Sequence, residues 1–218
     1  MMRVVSMAAA VAMVSGAAMA APSTFGVGSD PELAGLLQNE LFVAEGRTGN
    51  NAPSGDWELG ITTNNPYTVR DQAQRSWTAG EFVAFSLTYD SSTGDVSYVF
   101  GDEVLSWNVV GNVGNIYLRA RATEGEVMLR GLNLNGFDLS AVVGAGGDAG
   151  SLDILGISGA GSRFSLIGEA MIDPDGGRGS NPAFQIKVDT APMPIIPTPT
   201  AAGLGLLGLG GLAARRRR

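Results

Sequence analysis

The sequence predicts an all-β protein: a single β-sandwich or jelly-roll-like domain with a processing segment at each end. Three observations carry this expectation. Apolar residues alternate with polar ones at period two across most of residues 41–190. The stretches between these runs are rich in Gly, Asn, Asp and Ser, as in "GRTGNNAPSGD", "GAGGDAGS" and "DPDGGRGSNP". No long segment shows the 3.6-residue period of an amphipathic helix. Many short strands with such punctuation are the pattern of sandwiches.

Residues 1–20 read as a secretory signal peptide. Met1, Met2 and Arg3 form a short basic start, and Val4 to Ala17 are apolar apart from Ser6, Ser15 and Gly16. Ala18 and Ala20 flank Met19 in the small-x-small pattern that a signal peptidase reads, with cleavage before Ala21. A buried N-terminal helix is the plainer alternative. Residues 21–40 form a lead in which "SDPELAGLLQN" suits a short helix. Ser29 or Asp30 is its cap, Pro31 stands in the first turn, and Leu33, Leu36 and Leu37 have helical spacing.

The clearest strand signal follows. In "EFVAFSLTYD", Val83, Phe85, Leu87 and Tyr89 share one face, and Ala84, Ser86, Thr88 and Asp90 the other. "SSTG" turns the chain, and "DVSYVF" places Val96, Tyr98 and Phe100 together, completing a hairpin. "IYLRARAT" sends Ile116, Leu118, Ala120 and Ala122 inward, with Arg119 and Arg121 outward. "RFSLIGEAMI" aligns Phe164, Leu166, Ala170 and Ile172, and "AFQIKVD" aligns Phe184, Ile186 and Val188. One run breaks parity: Val127 and Leu129 give way to Leu132 and Leu134. A bulge near Gly131 keeps both pairs inward, because a one-residue slip turns side chains over. "YTVRDQAQRSW" is polar and is expected to be a loop with one turn of helix.

Composition narrows the chemistry. Arg3 and Arg215 to Arg218 are five of the 14 basic residues, whereas all 21 acidic residues lie between them. The intervening chain therefore sets nine basic groups against 21 acidic ones, a balance of −12. With one lysine, Lys187, and no basic stripe, a nucleic-acid partner is disfavoured. There is no cysteine and no histidine. Disulfides are excluded, as are Ser–His–Asp and Cys–His nucleophiles and zinc sites built on those ligands.

What remains is weak as a site. Trp57, Trp77 and Trp107 could stack sugars, but buried core aromatics are the plainer reading. Asp90 with Asp95, and Asp173 with Asp175, offer oxygen ligands suited to calcium, yet neither loop has the twelve-residue pattern and turn chemistry explains both. "GAGGDAGSLDI" is a single copy of a pattern that binds calcium only when stacked. The pairs Glu40/Glu45 and Asp90/Asp95 are too ordinary among 21 acids to mark a glycosidase. Gly156, Gly159 and Gly161 follow no strand-to-helix pattern, so no dinucleotide site is read. The sequence indicates no catalytic residue, no metal site and no cofactor.

The C-terminus is different. Pro197, Thr198 and Pro199 lie in a Pro/Thr linker at 191–200, and residues 201–218 hold fourteen apolar residues followed by Arg215, Arg216, Arg217 and Arg218. As a helix the apolar run reaches only about 21 Å, short of a hydrocarbon core of about 30 Å. Four arginines would hold its end in the cytoplasm, a temporary membrane stop for a domain outside. This three-part order resembles the PEP-CTERM sorting signal, departing from it in having Thr198 where the name-giving motif has glutamate. The resemblance implies a membrane-embedded exosortase that cuts near the prolines.

Over about residues 40–189 the body resembles the choice-of-anchor domains that travel with this signal, nearest to choice-of-anchor W. The resemblance rests on "GRTGNN", "WELGI", "SWTAGEFVAFSLTYDSSTGDVSYVFG" and "LDILGISGAGSRFSLIGEAMIDPDGG" followed by "NPAFQIKV". It implies a non-catalytic surface β-domain and brings no active site. The expected partners are signal peptidase and exosortase during export, membrane contact through the C-terminal helix, and an exopolysaccharide as a candidate ligand. The expected place is the cell surface or extracellular matrix. An adhesion module dependent on carbohydrate or calcium is the alternative, and a two-carboxylate glycosidase a more remote one.

Overall fold

The computed structural model describes residues 21–37, 39–48, 57–64, 66–147, 150–173 and 181–190. Ala18 and Ala20, expected to mark signal cleavage, Pro197, Thr198 and Pro199, expected to form a sorting motif, and Arg215 to Arg218 lie outside them. Among the described residues, no helix is long and apolar enough to cross a membrane.

The elements are β1 (Ser23–Gly26), α1 (Asp30–Leu36), β2 (Glu40–Arg47), β3 (Leu59–Asn64), β4 (Tyr67–Ala73), β5 (Val83–Asp90), β6 (Asp95–Phe100) and β7 (Glu103–Asn108). They continue with β8 (Val113–Ala122), β9 (Glu126–Leu134), β10 (Phe137–Asp138), β11 (Val143–Gly146), β12 (Ser151–Ser158), β13 (Arg163–Asp173) and β14 (Ala183–Thr190). Two antiparallel sheets result. The first has the order β1-β12-β8-β14-β2-β3-β4, and the second β10-β9-β13-β5-β6-β7, with β11 also on β9. The all-β sandwich expected from the alternation is what forms.

The core follows the alternation closely. Phe85, Leu87, Tyr89, Val96, Tyr98 and Phe100 from the β5–β6 hairpin are all buried. They face Ile116, Leu118, Phe184, Ile186 and Val188 of the first sheet in one apolar cluster. Aromatic rings join the layers: Phe42 lies 5.6 Å from Tyr89, and Phe100 stacks on Phe184 at 5.9 Å. Phe184 pairs with Gly46 across the β14–β2 ladder, and its ring lies directly over that glycine. A Cβ at position 46 would sit 2.5 Å from the ring, so only glycine admits this contact.

The break in parity on β9 is a bulge. Ile167 pairs with Asn133 and Glu169 with Arg130, so β9 contains one residue more than its partner. Gly131 supplies the kink at φ +60°, a left-handed conformation that side chains disfavour. Leu129 and Leu132 are thereby both buried.

Two sequence expectations change. "YTVRDQAQRSW" contributes β4, an edge strand, in place of a loop with a helical turn. Its alternation is blurred because the register slips between Ile61/Asp71 and Thr62/Val69, leaving Arg70 as an extra residue. Cross-strand pairing with β3 decides the conformation where local propensity does not. The lead is also built into the sandwich, since β1 pairs with β12. Helix α1 forms with Ser29 as its cap, accepting from the Glu32 backbone N–H at 3.3 Å, while the Glu32 carboxylate accepts from Gly28 N at 2.8 Å. Val27 and Leu33 pack onto Tyr117 and Ile154 on the outer face of the first sheet.

Both flanks between the sheets are bridged by an aspartate that accepts a backbone N–H from the opposite layer. Asp71 on β4 takes Ser106 N of β7 at 2.8 Å, and Asp153 on β12 takes Gly144 N of β11 at 3.0 Å. Such bonds occupy edge donors that would otherwise invite another strand.

Lys187 forms a buried ion pair with Glu40 at 2.9 Å, each side chain 9% exposed, and Asn64 also donates to Glu40 Oε2. Lys187→Met should lower unfolding free energy in urea by about 3–5 kcal/mol, because it strands the Glu40 charge. Gly46→Ala should cost about 1–3 kcal/mol through overpacking against Phe184, read in the same titration.

Candidate functional site

The strands β2, β14 and β8 lie side by side, and their register writes a small grid on the outer face of the first sheet. One row across the three strands is Arg47–Ala183–Arg121, and the next is Glu45–Gln185–Arg119. Inward-facing Phe184 forces Ala183 and Gln185 outward, because neighbours on a strand point to opposite faces. Ala183, with only a methyl group, leaves a hollow between two arginines that stand two strand spacings apart, about 9.5 Å. Tyr67 and Asn181 complete the walls of a pocket of about 330 Å³.

Each polar group is held in place. Arg119 donates from Nε and Nη2 to the two oxygens of Asp30, both at 2.6 Å, so α1 fixes that guanidinium at the rim. The Arg119 guanidinium beside Asp30 holds that carboxyl below its ordinary value, against the opposing effect of burial. Arg47 lies 3.7 Å over the Trp57 ring and donates from Nε to the Trp57 carbonyl at 3.0 Å. Trp57 in turn covers Gly60, where a Cβ would meet the indole at 2.5 Å. Arg121 is exposed, Tyr67 is 55% exposed, and both face solvent at the pocket mouth.

Glu45 is the one carboxylate among the described residues lining the pocket, and it is only 5% exposed. Its Oε2 accepts from Gln185 Nε2 at 2.8 Å and its Oε1 from Thr62 at 3.4 Å. Burial pushes its pKa above the ordinary value, with the hydrogen bonds and the nearby Arg47 and Lys187 opposing that shift. Asn181 Oδ1 is buried without a hydrogen-bond partner among the described residues. The pocket therefore offers guanidinium donors on two sides, a carboxyl floor, two amides and a phenol. That set can grip an anionic group and order hydroxyls.

The residues singled out in the sequence are distributed elsewhere. Trp57 is buried on the outer face beneath Arg47 rather than between the sheets. Trp77 donates from its indole nitrogen to the Arg47 carbonyl at 2.9 Å and packs edge-on to Phe100. Trp107 is half-buried under Arg70 on the β4–β7 flank. The three indoles form no common exposed platform.

Asp90 Oδ1 accepts from the Ser92 amide and hydroxyl, and Arg163 pairs with Oδ2. Asp95 Oδ1 accepts from Asn108 Nδ2 at 3.1 Å, so these carboxylates serve the β5–β6 turn. Glu40 is engaged by Lys187 and Asn64 and does not line the pocket with Glu45. Asp173 ends β13, and Asp175 lies outside the described residues. Among the described residues, no group of three or more acidic side chains is placed to hold a metal ion.

The chain matches no protein-family model. No curated protein matches it at a significant level either.

The buried carboxyl makes a pH prediction. The folded chain keeps a proton on Glu45 that the unfolded chain releases near 4.5. Stability should therefore fall as pH rises from 4.5 through the raised folded value. Glu45→Gln puts a neutral amide of the same shape in place of the carboxyl and removes this titration. Its melting temperature should match the parent at the acid end of the interval and exceed it at neutral pH.

Proposed function

We propose that this chain is an exported, non-catalytic surface or matrix protein. Its β-sandwich would be delivered by the N-terminal signal peptide and then processed at a PEP-CTERM-type sorting signal. The observation that carries this reading is the pairing of two end signals around one acidic domain. "AMA" precedes Ala21, and Pro197-Thr198-Pro199, an apolar run and four arginines close the chain. The choice-of-anchor likeness of the body supports the same assignment. Signal peptidase and a membrane-embedded exosortase would be its processing partners, and the C-terminal helix its transient membrane contact.

The lengths favour a temporary stop over a lasting anchor. As a helix the fourteen-residue apolar run would reach about 21 Å, short for lipid, and its five glycines lower helix propensity. A binding role in the matrix is a second reading. It is favoured by the guanidinium-walled pocket, not by a tryptophan platform.

Intact-mass and terminal-peptide spectrometry of the protein from a host encoding an exosortase should find Ala21 as the first residue. The last residue should fall near Pro197–Pro199. Deleting the exosortase should leave the C-terminal arginines attached. Recovery of intact Met1, or of Arg218 in the exosortase-bearing host, would reject the corresponding step.

A further inference from the structure

We infer that the pocket over Ala183 binds a carboxylated sugar unit, the uronate residue of an acidic polysaccharide. This inference rests on the pocket alone and goes beyond the export reading.

The argument is one of charge and shape together. The chain between its two ends carries nine basic groups against 21 acidic ones, yet three of the nine line this single hollow. Arg47 and Arg119 are fixed by Trp57 and Asp30 before any ligand arrives, which limits the ordering cost of binding. The Arg121 side chain makes no ion pair or hydrogen bond with the described residues, acting on Asp30 only through longer-range attraction, and stands opposite Arg47 across Ala183. A planar carboxylate seated over Ala183 meets guanidinium donors from both sides.

A bare anion fits poorly. The Glu45 carboxyl forms the floor, and Asn181 Oδ1 meets no donor among the described residues, so the site repels a ligand that only accepts. A ligand with hydroxyl donors beside its negative group satisfies both. The Gln185 amide stands between Glu45 and Arg119 and donates to that carboxyl, and the exposed Tyr67 ring gives a pyranose face an apolar surface at the mouth. The volume, about 330 Å³, lies at the small end for ligand sites and suits one or two sugar units.

The test is calorimetric titration of the full-length chain with tetragalacturonate, cellotetraose and inorganic phosphate. Tetragalacturonate should bind, more weakly as salt rises, and at least tenfold more tightly than either other probe. Arg121→Gln should weaken it roughly tenfold, the loss of one charge-assisted contact. Tyr67→Ala should weaken it several-fold and leave the salt dependence unchanged. Both side chains are exposed, so both variants should melt as the parent does. Ala183→Met, which fills the hollow without altering charge, should abolish binding. The inference is overturned by any of three results: no binding of tetragalacturonate, phosphate or cellotetraose binding equally well, or unchanged affinity in Arg121→Gln or Tyr67→Ala.

Discussion

The ring of Phe184 seated over Gly46 is the contact on which the rest of this molecule turns. It fixes β14 against β2, because a shift by one residue would set the ring against a side chain. On the core side the same ring stacks on Phe100 of the second sheet. One aromatic therefore sets a register within a layer and joins the two layers. With no cysteine in the chain, that work falls to apolar packing together with the two flank hydrogen bonds of Asp71 and Asp153. Aromatic-over-glycine contacts recur at Phe25 over Gly156 and at Trp57 over Gly60. All three lie within the first sheet, and Phe85 over Gly168 is a looser counterpart in the second.

The pocket is the other side of that constraint. Strand pleating couples each inward residue to its outward neighbours, so seating Phe184 also presents Ala183 and Gln185 to solvent. Arg47 and Arg121 then become neighbours across a small residue, although 74 positions separate them in the chain. Concentrating positive charge at one concavity of an otherwise acidic surface creates a local field opposite in sign to the whole. The lead segment takes part, since Asp30 at the start of α1 clamps Arg119. Core, lead and pocket are thus one mechanical unit.

Much of this was legible in the sequence wherever one strand carried its own signal. The β5–β6 hairpin, with its turn at Ser91–Gly94, and the inward faces of β8, β13 and β14 follow from alternation alone. The bulge at Gly131 was legible because two apolar pairs of opposite parity, Val127 with Leu129 and Leu132 with Leu134, demanded it. β4 was not, since an edge strand exposed on one side and bulged at Arg70 keeps no clean period. The pocket was not legible either. Parity places Arg119 and Arg121 outward, but only the β2–β14–β8 register brings them to Arg47, and register is a property of three strands together. Trp57 shows a further limit: its burial could be anticipated, but a ring can be covered by an arginine outside the sandwich as fully as by a core inside it.

The ion pair between Lys187 and Glu40 has a consequence for how this domain meets its surroundings. Lys187 is the only lysine in the chain, and its amine is enclosed. The folded domain thus lacks an accessible ε-amino group, the nucleophile on which isopeptide bonds, aldehyde adducts and amine-directed labels depend. Covalent stitching that uses an ε-amine of this domain is therefore closed to it while it stays folded.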